Sequence, residues 1–162
     1  MSMLLALAAA SPLFTSTVAQ ETKSARTPAV QHELITEWQR NPIEYRALIK
    51  QALEGHHGAL ALILTQRAPD SDLVPFHVEA LIALTQLHES LYPEGSETPR
   101  TSERIWTDRA EFHKASQRTA DLAAQLPAVI GRGDVTQSVN ALIRLGESCQ
   151  SCHARYRLSS TE

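Results

Sequence analysis

The sequence predicts an all-α fold, an antiparallel four-helix bundle, and three observations carry that expectation. Ala and Leu dominate while aromatic residues make up only 5%, a composition that favours helices over a β-sandwich. Four stretches space their apolar residues by three and four, the repeat of one helix face. Pro- and Gly-marked segments separate them, and two of the four open on a capping-box pattern. At 162 residues the chain can bury one real core. Charged residues are 20% and the formal net charge is −3, so no basic surplus argues for nucleic acid.

The first nineteen residues carry no charge. Met3 to Ala10 is a short apolar run, Pro12 interrupts it, and Thr17-Val18-Ala19 offers small residues for cleavage before Gln20. Residues 1–19 therefore read as a secretory signal peptide, too short to span a membrane. No Lys or Arg precedes the apolar run, as an ordinary n-region would have. Residues 20–36 read as a polar tail and residues 37–158 as the helical domain.

The first helix starts at Asn41-Pro42-Ile43-Glu44. Asn41 can cap, Pro42 suits the first turn, and Glu44 sits three residues on. It is expected to run to about Gln66, with Lys50, Leu53, His57, Leu60 and Leu64 on one face. Arg67 to Asp72 is a loop broken by Pro69. The second helix starts near Ser71 or Asp72, with Pro75 in its first turn. Leu73, Phe76, Ala80, Leu84, Leu87 and Leu91 are expected to line its inner face. Pro93 to Pro99 is the long loop. The third helix starts near Thr101 or Ser102 with the stripe Ile105, Phe112, Ala115, Thr119, Leu122 and Leu126. Pro127 lies near its end, and Gly131-Arg132-Gly133 closes it. Asp134-Val135-Thr136-Gln137 opens the fourth helix. Its stripe is Val135, Val139, Leu142, Gly146, Cys149, His153 and Tyr156.

That last stripe holds the chemistry. Cys149-Gln150-Ser151-Cys152-His153 has the C-x-x-C-H spacing of covalent haem c attachment. Residues three and four apart share a helix face, so both thiols and the imidazole can point at one flat cofactor. The thiols add to the haem vinyl groups and His153 becomes the proximal iron ligand. One haem c per chain is expected, attached near the C-terminus of the last helix and buried within the bundle. A structural zinc site wants four ligands, and no second cysteine pair exists, because the chain has only 2 cysteines. A thioredoxin-like motif wants a βαβ context, and a plain disulfide leaves His153 unexplained. Gly146, one turn before Cys149, either leaves room for the porphyrin edge or allows close helix packing.

Several stretches together resemble the cytochrome c-prime family, the class II cytochromes c. They are Glu44-Tyr45-Arg46, Gly55-His56-His57-Gly58-Ala59, Ile105-Trp106-Thr107-Asp108 with Phe112, and Cys149 through Arg157. The likeness covers roughly residues 33 to 158. It implies that His153 is the proximal ligand and that Cys149 and Cys152 hold the haem. It further implies that Arg46 pairs with a haem propionate and that Arg157 packs near the proximal face. Both arginines also read as solvated surface charges.

The position four residues after that arginine lies over the open haem face in the family, where it is apolar, aromatic or an iron-binding methionine. Here it is Lys50. The only methionines are Met1 and Met3, inside the expected signal peptide. Three states stay open. Lys50 ligates iron as a neutral amine; or it snorkels and leaves the iron five-coordinate; or His57 ligates. Seven residues is about 10 Å along a helix, so Lys50 and His57 cannot share one iron. A shift of one residue would bring Ile49 over the haem. His56 is expected at the surface, His32 falls in the tail, and His77, His88 and His113 show no metal-ligand spacing.

The resemblance implies a periplasmic haem protein that transfers one electron, binds nitric oxide and carbon monoxide at the distal face, or does both. Export fits, because bacterial haem c is attached outside the cytoplasm. A redox partner protein and a homodimer through the first two helices are implied as well. The chain reads as a non-enzyme: a peroxidase wants a distal acid–base pair, and only Lys50 and His57 are on offer. The alternative is a non-haem bundle, a structural or interaction module with a C-terminal disulfide or metal site.

Overall fold

The computed structural model describes residues 41–67 and 71–159. The segments read as signal peptide and polar tail lie outside them. Among the described residues five helices follow one another: α1 (Pro42–Leu64), α2 (Val74–Gln86), the single-turn α3 (Arg104–Thr107), α4 (Arg109–Ile130) and α5 (Val135–Tyr156). A 3₁₀ turn, Ser71–Leu73, leads into α2. The four long helices pack in a ring, α1 on α2, α2 on α4, α4 on α5 and α5 on α1. Chain neighbours are spatial neighbours, which makes this an antiparallel four-helix bundle.

Local chemistry sets the helix starts. The Asn41 side chain accepts from the Glu44 N–H at 3.1 Å, and Pro42 occupies the first turn of α1. Asp134 accepts from the Gln137 N–H at 2.9 Å, and the Gln137 amide donates back to its other oxygen at 2.9 Å. Both capping residues satisfy N–H groups that a helix start leaves unpaired.

Three expectations need correction. The first concerns α1, which ends at Leu64 rather than near Gln66. There the Thr65 hydroxyl donates to the Ala61 carbonyl at 2.7 Å, and Gln66 turns the chain at φ 57°.

The second concerns the inner face of α2. Val78, Leu81, Thr85 and the following His88 are buried instead, while Phe76 is 58% exposed and Leu73 47% exposed. Of the expected set Leu91 is buried, and Ala80, Leu84 and Leu87 are intermediate. This helix carries apolar residues on more than one face, and its packing on α1 and α4 selects which face turns inward.

The third concerns the expected third helix, which is two. Asp108, at φ −125° and ψ 55°, breaks it between Thr107 and Arg109, and it begins at Arg104. Its apolar stripe survives the break: Ile105, Phe112, Thr119 and Leu126 are all buried. In α5, Val135 is 50% exposed, and Ser138, Ala141, Leu142 and Leu145 carry the burial.

Two buried clusters result. Leu60, Val78, Leu81, Leu126, Leu142 and Leu145 belong to the larger. The smaller joins Ile105, Phe112 and Tyr156, with Tyr92 and Cys152 packed against it. The loop before α3 is sewn to the end of α5: Ser102 N–H donates to the Tyr156 carbonyl at 3.0 Å, and Leu158 N–H to the Arg100 carbonyl at 2.9 Å. This seam holds the smaller cluster beside the C-x-x-C-H turn.

Candidate haem site

Cys149, Cys152 and His153 lie in the last two turns of α5, each half-buried, and both cysteines are free thiols. Their helical spacing puts them on one face. A hydrogen bond at 2.7 Å between Thr119 and Ser148 fixes α5 against α4 just before this face. Burial pushes both thiols up, and the Lys50 charge works against that rise. Burial pushes the His153 imidazole down, helped by the Lys50 and Arg157 charges. A neutral imidazole is the form that binds a metal.

Lys50 enters the same space from α1. Burial lowers its pKa, and Cys152 and Cys149 act in the opposite sense. The Lys50 Nζ lies 6.0 Å from the centre of the Tyr92 ring, over which the Arg46 guanidinium stacks at 4.5 Å. Burial raises the Tyr92 hydroxyl, with Arg46 opposing. Tyr92, Phe112 and Tyr156 form an edge-to-face row with successive ring centres 5.1 Å apart, a rigid apolar wall next to Cys152.

Arg46 is buried, not a solvated surface charge. Its guanidinium donates to the Leu91 carbonyl at 3.1 Å, the Ser96 hydroxyl at 3.1 Å and the Ser96 carbonyl at 2.9 Å. It thereby ties the loop between α2 and α3 to the first helix. Arg157 is exposed at the C-cap of α5, where its N–H donates to the His153 carbonyl at 2.9 Å.

Two histidines stand elsewhere than the spacing suggested. His57 donates through Nε2 to the Leu142 carbonyl at 3.2 Å, so its ring is engaged by α5 one turn before Gly146. A Cβ on Gly146 would sit 3.4 Å from that Nε2. That is an ordinary van der Waals distance, so Gly146 sits where α1 meets α5 and a small side chain there would be tolerated. The other is His88, which is 8% exposed and has an Nε2 atom without a hydrogen-bond partner. Burial, then the charges of Lys50 and His153, push its imidazole down to about 3. His88 thus joins Lys50 and His153 electrostatically. Sequence reading missed it because it belongs to the stripe Val74, Val78, Leu81, Thr85, His88, not to the leucine stripe. His56 is partly buried rather than at the surface and shares a 3.0 Å hydrogen bond with His77 across α1 and α2. His113 pairs with Glu89 at 2.6 Å.

These residues fit a haem c. Two free thiols and a neutral imidazole share one helix face, an aromatic row flanks them, and a buried imidazole nitrogen nearby lacks any protein partner. No group of three or more His, Cys, Asp or Glu side chains able to hold a metal ion occurs among the described residues. Cys149, Cys152 and His153 supply three ligands, one short of a closed structural zinc site.

Comparison with known proteins points the same way. The family model described as Cytochrome C' matches residues 41–157. A cytochrome c' from Pararhodospirillum photometricum is 30% identical over 118 residues, which is 71% of this chain and 94% of that protein. Two structures of cytochrome c prime variants from Alcaligenes xylosoxidans, one with nitric oxide and one with carbon monoxide bound, superpose with a TM-score of 0.67 at 27% identity. Each covers 74% of this chain and 96% of its own. The chain, four-helical and bearing its free thiols at Cys149 and Cys152, belongs to the cytochrome c' family and carries haem c.

Proposed function

We propose that this chain is a periplasmic haem protein that binds a small neutral gas, nitric oxide or carbon monoxide, and exchanges one electron with a partner protein. The observation that carries the reading is the free thiol pair and imidazole at helical spacing on one face of α5, beside the aromatic cluster of Ile105, Phe112 and Tyr156. Haem, when bound, would supply a one-electron Fe(III)/Fe(II) couple and an iron able to take a diatomic ligand. Cys149 and Cys152 hold the group covalently, and His153 is the proximal ligand. Engagement of His57 by the Leu142 carbonyl argues against that side chain as the opposite ligand. The reading takes neither Lys50 nor His88 as bound to iron.

The row of Tyr92, Phe112 and Tyr156 gives the site an aromatic flank against Cys152. Arg46 and Arg157 are assigned to the propionates and the proximal side by family resemblance. Residues 1–19, uncharged and apolar, support export, and no helix among the described residues is long and apolar enough to cross a membrane. The domain is assigned to residues 37–158, and a homodimer through α1 and α2 is part of the same reading. No catalytic role is assigned.

The test is an absorption spectrum of the haem-loaded protein, ferric and ferrous, with and without nitric oxide. A high-spin spectrum that shifts with the gas supports the reading. A low-spin ferric spectrum unchanged by nitric oxide would exclude an open axial position.

A further inference from the structure

Away from the haem end, one pair of side chains has metal-binding chemistry that the function above does not use. His56 on α1 and His77 on α2 meet with their Nδ1 atoms 3.0 Å apart. Their ring centres are 5.1 Å apart, and the Phe76 ring packs 5.4 Å from each. Both imidazoles are half-buried and Phe76 is 58% exposed, so an ion from solvent can reach the pair. The neighbouring His57 turns instead to the Leu142 carbonyl of α5. The two adjacent histidines thus serve different faces of α1.

The hydrogen bond between the rings needs one Nδ1 to carry a proton and the other to accept it. Moving that proton to Nε2 of its own ring leaves two Nδ1 lone pairs side by side, with no change of charge. Nitrogens 3.0 Å apart, each about 2.0–2.1 Å from a shared ion, subtend about 91–97° at it. That is the cis angle of a square or tetragonal site, not the wider angle of tetrahedral zinc. Nitrogen and oxygen ligands in such an arrangement suit copper(II), which also binds most tightly among the divalent first-row ions. The surrounding charge suits a cation. From Gln51 to Leu64 the chain has no Lys or Arg and one acid, Glu54; α2 likewise has no Lys or Arg and one acid, Glu79.

We propose that His56 and His77 chelate one copper(II) ion through their Nδ1 atoms and so clip α1 to α2. No group of three His, Cys, Asp or Glu side chains forms a closed site among the described residues, so water completes the coordination. The second imidazole binds intramolecularly once the first has bound, which raises affinity about 10²–10⁴-fold over a single histidine.

The test uses the full haem-loaded chain in its ferric form, with copper(II) as the probe. Calorimetric titration is expected to show a tightest site that weakens about ten-fold or more in His56→Ala and in His77→Ala. His113→Ala, which removes an imidazole paired with Glu89 elsewhere, is expected to leave that site unchanged. Electron paramagnetic resonance of the bound copper is expected to show splitting from two imidazole nitrogens in the wild type and from one in either variant. Equal affinity in the wild type and both variants overturns the proposal, because the ion then sits on other side chains. Loss in one variant alone also overturns it, because a single imidazole then holds the ion. So does a wild type that takes up no copper. A retained Soret band and helical circular dichroism show that a variant is folded. If one variant is not, the other and the nitrogen count in the wild type decide.

Discussion

Arg46 is the residue on which the approach to the site depends. Its guanidinium satisfies two carbonyls and one hydroxyl of the α2–α3 loop and stacks on Tyr92. Arg46→Leu leaves those acceptors unpaired in a buried setting and is expected to cost about 2–4 kcal/mol, read from urea unfolding. Arg46→Lys recovers only part, because an ammonium cannot reproduce the planar fork.

His88 carries a pH dependence of definite sign. Its folded pKa is depressed to about 3, while an unfolded histidine titrates near 6.5. As pH falls below about 6.5, the unfolded chain takes up a proton that the folded chain refuses. Stability is therefore lost on acidification from about 6.5 towards 3, and nothing is contributed above about 7. Between pH 7 and pH 5 the wild type is expected to lose about 2 kcal/mol more than His88→Gln in urea unfolding. Identical losses would show that His88 is not held neutral.

At the scale of elements, the two side-chain-capped helix starts were legible and helix faces only partly so. Asn41 and Asp134 act within their own first turns, so the residues that define each cap are adjacent in the chain. Asp134→Ala is expected to cost about 1 kcal/mol in chemical unfolding. Asp134→Asn, which keeps an acceptor oxygen, should cost less. The inner face of α2 was not legible, because its apolar residues satisfy more than one stripe and α1 and α4 select among them. Nor was the break at Asp108, since the buried stripe continues across it from Ile105 to Phe112.

At the scale of the molecule, the bundle divides its interior between an apolar cluster and the haem end. The latter gathers Lys50, His88, Cys149, Cys152 and His153, which cannot make a dry core among themselves. The cofactor is thus part of the fold's stability. A Cys149→Ser, Cys152→Ser double variant, unable to attach haem, is expected to melt about 10 °C or more below the holoprotein by far-UV circular dichroism. Equal melting would mean that the Leu60–Leu145 cluster alone sets the stability.

The C-x-x-C-H spacing, both capped helix starts and the four-helix class were legible in the sequence alone. Each depends on residues within a turn or two of one another, or on composition. The tertiary structure alone decided that His57 bonds the Leu142 carbonyl, that Arg46 is buried, and that His88 is buried with its Nε2 unpartnered. Those partners come from different helices with no shared period. Only the packing of α1, α2 and α5 around one interior brings them together.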